Sequence, residues 1–208
     1  MTLRHTATAA LIAAALGLGA CRGIVDTVYP VNVAPSSIHA GSYSIDPSHA
    51  GVIFNIRHME LARFYGRIPV KDGSLAIDPD SPETAKLQVT MDAAGLDTAN
   101  PVLDEKLRDL VSADEYPEIT FESISVVRTG EATANVTGNL TIAKATKPVT
   151  LVVTFAGRRT DPLSGDDRMG FDATGTIRLS EFGLSAVWTP FVADELDLTI
   201  GAEFTRQK

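Results

Sequence analysis

Asn135-Val136-Thr137-Gly138-Asn139-Leu140-Thr141-Ile142 is the stretch that decides the fold. Val136, Leu140 and Ile142 share one face with Gly138, while Asn and Thr side chains occupy the other face. A period of two residues is typical of a β-strand, because successive side chains point to opposite faces of the sheet. One apolar face and one polar face indicate an antiparallel sheet that buries a single side. The stretch therefore predicts an antiparallel strand with one face in a core.

The same alternation recurs from Gly41 onward in segments separated by short turns. It is found in residues 52–57, 66–70, 73–77, 87–91, 118–122, 149–155, 171–179 and 196–204. Turn residues separate several of them, as in Lys71-Asp72-Gly73, Thr129-Gly130-Glu131 and Asp161-Pro162-Leu163-Ser164-Gly165. About eight amphipathic strands in one domain predict an all-β fold, either a sandwich or a closed barrel. We favour an eight-stranded antiparallel barrel, since closure removes exposed edges and leaves room for one small ligand.

One segment has the period of a helix instead. Asn100 is a suitable N-cap and Pro101 suits the first helical position. Leu103, Leu107 and Leu110 fall on one face, so the sequence predicts a short helix that covers one end of the barrel or roofs a pocket.

The stretch from His58 to Phe64 is irregular. Its apolar residues Met59, Leu61 and Phe64 are expected to be buried.

The N-terminus has the layout of a secretory signal. Arg4 and His5 precede an uncharged apolar run, which is too short to span a bilayer and ends in Leu18-Gly19-Ala20-Cys21. This ending resembles the bacterial lipobox, in which the cysteine is acylated. We expect residues 1–20 to be a lipoprotein signal peptide, 21–40 a lipidated tether and 41–208 the folded domain. The alternative is an ordinary cleaved signal followed by a chance cysteine.

A lipidated Cys21 implies a membrane partner, through the anchor, and a location in the cell envelope facing the periplasm. Arg22, rather than Asp, follows the cysteine, which favours the outer membrane. The formal net charge of −8 comes from interspersed residues without a basic patch, so nucleic acid is not an expected partner. The single cysteine allows no disulfide within the domain, which must fold on its core alone.

Several motifs occur in an order that resembles the YceI-like family. They are Tyr43-Ser44-Ile45-Asp46 with a turn to His49, the strand at residues 52–59, the segments 116–123, 138–142 and 146–151, and the stretch 178–183. The resemblance extends from about Tyr43 to Phe204. It implies a lipocalin-like barrel that binds extended amphiphiles such as isoprenoid chains or fatty amides. The family's usual histidine and phenylalanines are absent between Glu105 and Glu115, which implies a different pocket wall there.

The candidate ligand contacts are inward-facing apolar residues together with one histidine and one tryptophan. They are Phe54, His58, Phe64, Met91, Leu107, Phe121, Leu140, Phe155, Phe171 and Trp188. An apolar pocket of this kind suits a hydrophobic chain, which gains about 0.8 kcal/mol for each buried CH₂ group. Met91 adapts to irregular ligands, and His58 either bonds a ligand head group or makes a structural hydrogen bond.

No nucleophile elbow, phosphate loop or zinc spacing is found in the sequence, so we expect neither an enzyme nor a cofactor. His49 and His58 lack a third metal ligand at a known spacing. The leading hypothesis is a carrier or sequestering protein for a hydrophobic chain-like molecule. A structural or adaptor lipoprotein with a filled barrel, and a lipid hydrolase or isomerase that uses His58, are the alternatives. The oligomeric state, including a homodimer, stays open.

Overall fold

The structure is a computed structural model that describes residues 27–184 and 191–208. Each strand pairs antiparallel with the next along the chain, and the first pairs with the last. The predicted closed barrel of eight antiparallel strands is therefore confirmed. The strands are β1 (Gly41–His58), β2 (Ala62–Ile77), β3 (Lys86–Asp92), β4 (Glu118–Arg128), β5 (Thr133–Ile142), β6 (Ala145–Thr160), β7 (Asp167–Arg178) and β8 (Val192–Arg206).

The connections between the strands define two ends of the barrel. At one end, called the helix end, lie the turns at residues 58–62 and 142–145 and the segment 92–118, which contains the helix α1 (Pro101–Leu110). The described parts of the β7–β8 connection lie there too, including a 3-10 helix at Leu179–Phe182. At the opposite end lie residues 32–38, which we call the strap, and the connections 77–86, 128–133 and 160–167. We call this the strap end.

Inward-facing apolar residues from all eight strands form the core. In β5 the buried positions are Val136, Gly138, Leu140 and Ile142, as the alternation predicts. Tyr43 and Met169 are the largest fully buried side chains among the described residues, and the Tyr43 hydroxyl donates to the His39 carbonyl at 2.7 Å. A buried hydroxyl is thereby satisfied at the start of β1.

Two inward glycines make room for aromatic rings. A Cβ placed on Gly66 would lie 2.1 Å from Cζ of Phe54, the residue paired with Gly66 across β1 and β2. A Cβ on Gly138 would lie 2.4 Å from Cζ of Phe121. The missing side chains leave room for each ring to lie against the neighbouring strand. The interior therefore keeps free volume even though it contains large rings.

Two predicted turns are wrong because the strands are longer than their local patterns suggest. Lys71-Asp72-Gly73 lies inside the continuous strand β2, where the register with β3 shifts between Val70 and Asp72. The predicted turn from Asp46 to His49 likewise lies inside β1, and the register with β2 shifts between Ser44 and Gly51. Irregularities of this kind let a strand bend without leaving the sheet, and they use the same small and polar residues as turns.

The prediction that Met59 and Leu61 are buried is also wrong. They lie in the β1–β2 connection, where Met59 is 52% exposed and Leu61 is 80% exposed. The strands on either side pair up to His58 and Ala62, so no core surface is left for the tip to pack against. Phe64, two residues into β2, is half-buried and faces the interior.

The predicted helix is confirmed over Pro101–Leu110. The Asn100 side chain accepts a hydrogen bond from the Leu103 amide, as expected of an N-cap. Asp104, in the first turn, is buried and accepts from the amide and the hydroxyl of Thr98. The helix is thus tied to the loop that precedes it.

The chain before β1 packs on the barrel from Asn32 onward, where Asn32 bridges to Arg158 of β6. The tether is predicted at residues 21–40, but residues from Asn32 onward pack on the barrel, so a tether can include only the residues before Asn32. The signal peptide, Cys21 and Trp188 lie outside the described residues. None of the helices in the described ranges combines the length and the apolar character that a membrane crossing requires.

Gly66→Ala tests whether the Phe54 ring requires a glycine at position 66. We expect Gly66→Ala to lower the free energy of unfolding by roughly 1–3 kcal/mol, because the new methyl group overlaps the Phe54 ring. Gly51→Ala is the matched control, since its Cβ would lie 3.7 Å from the nearest atom, Nε of the Arg67 side chain. Denaturant unfolding measures both. Equal stabilities for the two variants would contradict this packing.

Candidate functional site

The interior of the barrel contains a cavity of about 910 Å³. Its lining runs from Leu107 of α1 at the helix end to Pro35 of the strap. Most of the lining is aliphatic or aromatic, which follows from the alternation that turns apolar side chains inward on every strand. Ligand pockets in proteins measure about 300–1,000 Å³, so this cavity is at the large end of that range.

Nine of the ten candidate contacts line this one cavity. They are Phe54, His58, Phe64, Met91, Leu107, Phe121, Leu140, Phe155 and Phe171. Trp188 lies outside the described residues. The structure thus brings the nine together around a common space, and their contact with a ligand stays a prediction.

A cluster of three phenylalanines forms part of the wall. The rings of Phe155 and Phe171 are 5.6 Å apart, and those of Phe171 and Phe204 are 5.9 Å apart with their planes at 80°. Tilted and edge-to-face pairs at such distances stabilise one another beyond the area that they bury. The cluster therefore gives this side of the cavity a fixed aromatic surface on β6, β7 and β8.

Helix α1 forms the wall at the helix end. Leu103, Leu107 and Leu110 all line the cavity, as their spacing predicts, although only Leu107 was a candidate contact. The Arg108 guanidinium donates to the Leu96 carbonyl at 3.1 Å, and this bond helps to hold the helix against the preceding loop. The wall at α1 is therefore aliphatic, and residues 105–115 contain no aromatic side chain.

The strap supplies a wall that the sequence did not predict. Ala34, Pro35, Ser36 and Ile38 line the cavity, and Ile38 is buried. A 3-10 helix at Pro35–Ser37 positions them. The only local signal is Ile38 itself, an apolar residue just before the first strand, because the segment has no periodicity.

Polar side chains are rare in the lining, and most of them lie at the strap end. That end contributes Ser36, Asp80, Arg128, Glu131 and Thr133. The helix end contributes His58, whose ring makes no hydrogen bond with the described part of the chain. The interior between the two ends is apolar, which favours a ligand with a long apolar body.

A network of charged residues joins the strands at the strap end, outside the cavity. The Asp46 carboxylate accepts from the Ser48 hydroxyl at 2.5 Å, from His49 Nδ1 at 2.9 Å and from the Arg168 guanidinium at 2.8 Å. The Ser48 hydrogen bond, with those of His49 and Arg168, holds the pKa of Asp46 well below its usual range. Arg168 Nε also lies 3.1 Å from Asp161, so β1, β7 and the β6–β7 connection are linked.

A second ion pair, between β6 and β7, contacts the residue that follows the strap. Arg158 Nε lies 2.5 Å from the Asp167 carboxylate, although the N–H does not point at that oxygen, so the contact is ionic. His39 Nδ1 lies 2.9 Å from the same carboxylate. The residue that follows the strap is thereby fixed to β7.

Among residues 27–184 and 191–208, no group of three or more His, Cys, Asp or Glu side chains is placed to hold a metal ion. His49 contacts Asp46 and Ser48, and it lies on the outer network rather than in the cavity.

The fold and the cavity define a lipocalin-like β-barrel with an apolar interior. Residues 43–204 match the YceI-like domain, and the chain belongs to that family. The sequence resemblance is therefore confirmed.

Relatives and solved structures agree with this assignment. The chain is 36% identical to Protein YceI of Escherichia coli O157:H7 over 173 residues, which cover 81% of this chain and 89% of that protein. The Campylobacter jejuni YceI protein superposes with a TM-score of 0.62 at 28% identity, covering 73% of this chain and 90% of the other. Burkholderia cenocepacia BcnA gives a TM-score of 0.66 at 24% identity, covering 76% and 98%.

A third structure is a polyisoprenoid binding domain from Saccharophagus degradans, with a TM-score of 0.58 and 15% identity. It covers 79% of this chain and 98% of that domain. At this identity the likeness shows the common barrel.

Asp46→Asn tests the charged network. The lowered pKa of Asp46 means that its charge stabilises the fold above the unfolded pKa, about 3.9, and that this stabilisation is lost as the pH falls through the folded value. We expect the variant to be less stable at pH 7 by roughly 1–3 kcal/mol, the range for hydrogen bonds to charged groups. The difference should narrow as the pH falls from 5 towards 2.

Thermal unfolding across this pH range measures the effect. Asp72→Asn is the control, because Asp72 is exposed on β2. A stability difference for Asp46→Asn that is independent of pH would show that the carboxylate charge is not what the network uses.

Proposed function

We propose that the protein binds, carries or sequesters a hydrophobic chain-like ligand in the cell envelope. The observation that carries the proposal is the cavity of about 910 Å³, whose lining is apolar along most of its length. A chain of CH₂ or isoprene units needs a continuous apolar wall and gains about 0.8 kcal/mol for each CH₂ removed from water. A wall from α1 to the strap meets that need.

The ligand class that fits best is an isoprenoid, a quinone-like molecule or a fatty amide. Each has a long apolar body and a small neutral or weakly polar head. Within residues 27–184 and 191–208, the cavity lining has no charged side chain between the two ends, so a ligand with a charge in its middle would be left unpaired. The Saccharophagus degradans domain with the same barrel is described as polyisoprenoid binding, which supports this class.

The cavity also bears on the alternative of a structural or adaptor lipoprotein with a filled barrel. Side chains that filled the barrel would leave no space much larger than a water molecule, as in ordinary protein cores. Inward alanines, such as Ala173 and Ala202, instead leave the space open. Binding therefore accounts for the interior better than packing, and we propose a binding protein rather than an enzyme.

Ala173→Phe tests the proposal. Ala173 lines the cavity between Val153 and Ile200, so a phenyl ring there would occupy the space of the ligand. We expect at least tenfold weaker binding of the apolar dye N-phenyl-1-naphthylamine, measured by its fluorescence. Val152→Phe is the matched control, since Val152 is half-exposed on the outer face of β6. Circular dichroism checks that both variants fold.

Ala202→Leu, a smaller change in the same lining, serves if Ala173→Phe does not fold. No binding of the dye to the unmodified protein, or equal binding by the inner and outer variants, would contradict the proposal.

We also propose that Cys21 is acylated and anchors the protein to a membrane, facing the periplasm, with Arg22 favouring the outer membrane. The support is the lipobox-like sequence and the position of the single cysteine. We expect Cys21→Ser to abolish labelling of the protein by radioactive palmitate and to move it from the membrane to the soluble fraction. Retention of both label and membrane association in the variant would rule the anchor out.

A further inference from the structure

The strap is seated on an edge of the barrel that the strands leave unpaired. The partners of β6 on β5 end at Thr154, opposite Thr133, whereas β6 continues to Thr160. Asn32 takes over this edge: its amide donates to the Arg158 carbonyl at 2.8 Å and its carbonyl accepts from the Arg158 amide at 2.8 Å. The chain then runs to Gly41 in β1 and so crosses the strap end of the barrel.

Gly157 leaves room for the residues that lead into the strap. Its φ of +143° lies in the region that favours glycine, and a Cβ there would lie 2.5 Å from Cγ1 of Val31. A side chain at this position would therefore push the chain off β6 just before Asn32. The strap is thus a specific partner of this edge, and it lies before residues 43–204, which match the family domain.

The two ends of the strap are held unequally. After it, His39 contacts Asp167, the His39 carbonyl accepts from Tyr43, and the Ala40 carbonyl accepts from Arg206 at 2.8 Å. At its start, Asn32 pairs with Arg158 through two backbone hydrogen bonds. Val31 and Val33 on either side are exposed. Breaking that pair would release the start of the strap from the edge of β6.

Helix α1, at the helix end, is held in several places. Helix α1 is capped by Asn100 and tied to the preceding loop by Asp104 and Arg108. Moving α1 away from the barrel would break these bonds and expose three leucines of the helix. Opening the strap end would uncover mainly Pro35 and Ile38.

Apart from His58 at the helix end, the polar residues of the described lining lie at the strap end, namely Ser36, Asp80, Arg128, Glu131 and Thr133. A ligand with one polar head and an apolar chain places the head where hydrogen bonds and water are available. We propose that the ligand enters and leaves under the strap, chain first, and rests with its head group among these residues. This inference rests on the proposed function, since it specifies the route to the same cavity.

A reversible cross-link between strap and barrel tests the route. In the full chain with Cys21→Ser, we would introduce Asn32→Cys and Arg158→Cys. Residues that exchange two hydrogen bonds have Cα atoms about 5.5 Å apart, within the range that a disulfide spans. We expect oxidation to slow both uptake and release of N-phenyl-1-naphthylamine at least tenfold in stopped-flow fluorescence, with little change in affinity. Dithiothreitol should restore the rates, and the reduced protein is the control for the two substitutions.

A second cross-link serves as the control at the helix end. Met59→Cys with Phe191→Cys joins residues whose backbones are bonded there, with Met59 N donating to Phe191 O at 2.7 Å. Oxidation of this pair should leave the rates unchanged. Equal rates for the oxidised and reduced strap pair, or slowing only by the helix-end pair, would overturn the route while leaving binding intact. Absence of dye binding in every form, including Cys21→Ser alone, would overturn the proposed function itself.

Gly157→Ala provides an independent measurement that needs no cross-link. We expect it to speed release of the dye several-fold, because the methyl group displaces Val31 and with it the strap. Gly165→Ala is the control, since Gly165 also has a positive φ, +74°, but has open space around its Cβ position. Identical release from the two variants would count against the strap as the moving wall.

Discussion

Hydrogen bonding between β1 and β8 is the interaction on which the rest of the structure depends. This pairing runs from Tyr43 opposite Arg206 to His58 opposite Val192, and it closes the sheet on itself. A closed sheet has no edge to shield from other chains, but its inner face can no longer be covered by a second layer. The inward side chains must therefore fill the enclosed space themselves or leave it for a guest molecule.

In this protein the inward residues cover the wall but do not fill the space. The Phe54 and Phe121 rings lie against Gly66 and Gly138, and Ala173 and Ala202 add little volume. Among the described residues, a capped helix lies at one end and the strap at the other. Closure of the sheet thus accounts for the apolar interior, and the small inward residues account for its open volume.

Local patterns sufficed to predict the strands, the helix and most of the wall. Alternation placed Phe121, Leu140 and Phe155 inward, and the spacing of Leu103, Leu107 and Leu110 placed the helix face correctly. Local patterns failed where a distant contact decides. Lys71-Asp72-Gly73 has the residues of a turn, but its pairing with β3 keeps it in a strand. Met59 and Leu61 are apolar but lie in the turn between the paired parts of β1 and β2. The strap has no sequence period, and its position is decided by pairing with Arg158 of β6, which lies far along the chain.

The central claim is that the barrel holds a hydrophobic chain in its cavity, and native mass spectrometry tests it most directly. The protein would be purified from its own cell envelope under mild conditions and its intact mass compared before and after extraction with organic solvent. We predict one additional apolar molecule per chain, lost on extraction and identifiable as an isoprenoid, a quinone-like compound or a fatty amide. A protein that carries no such molecule, and that takes up none when mixed with polyprenols, quinones and fatty amides, would contradict the account.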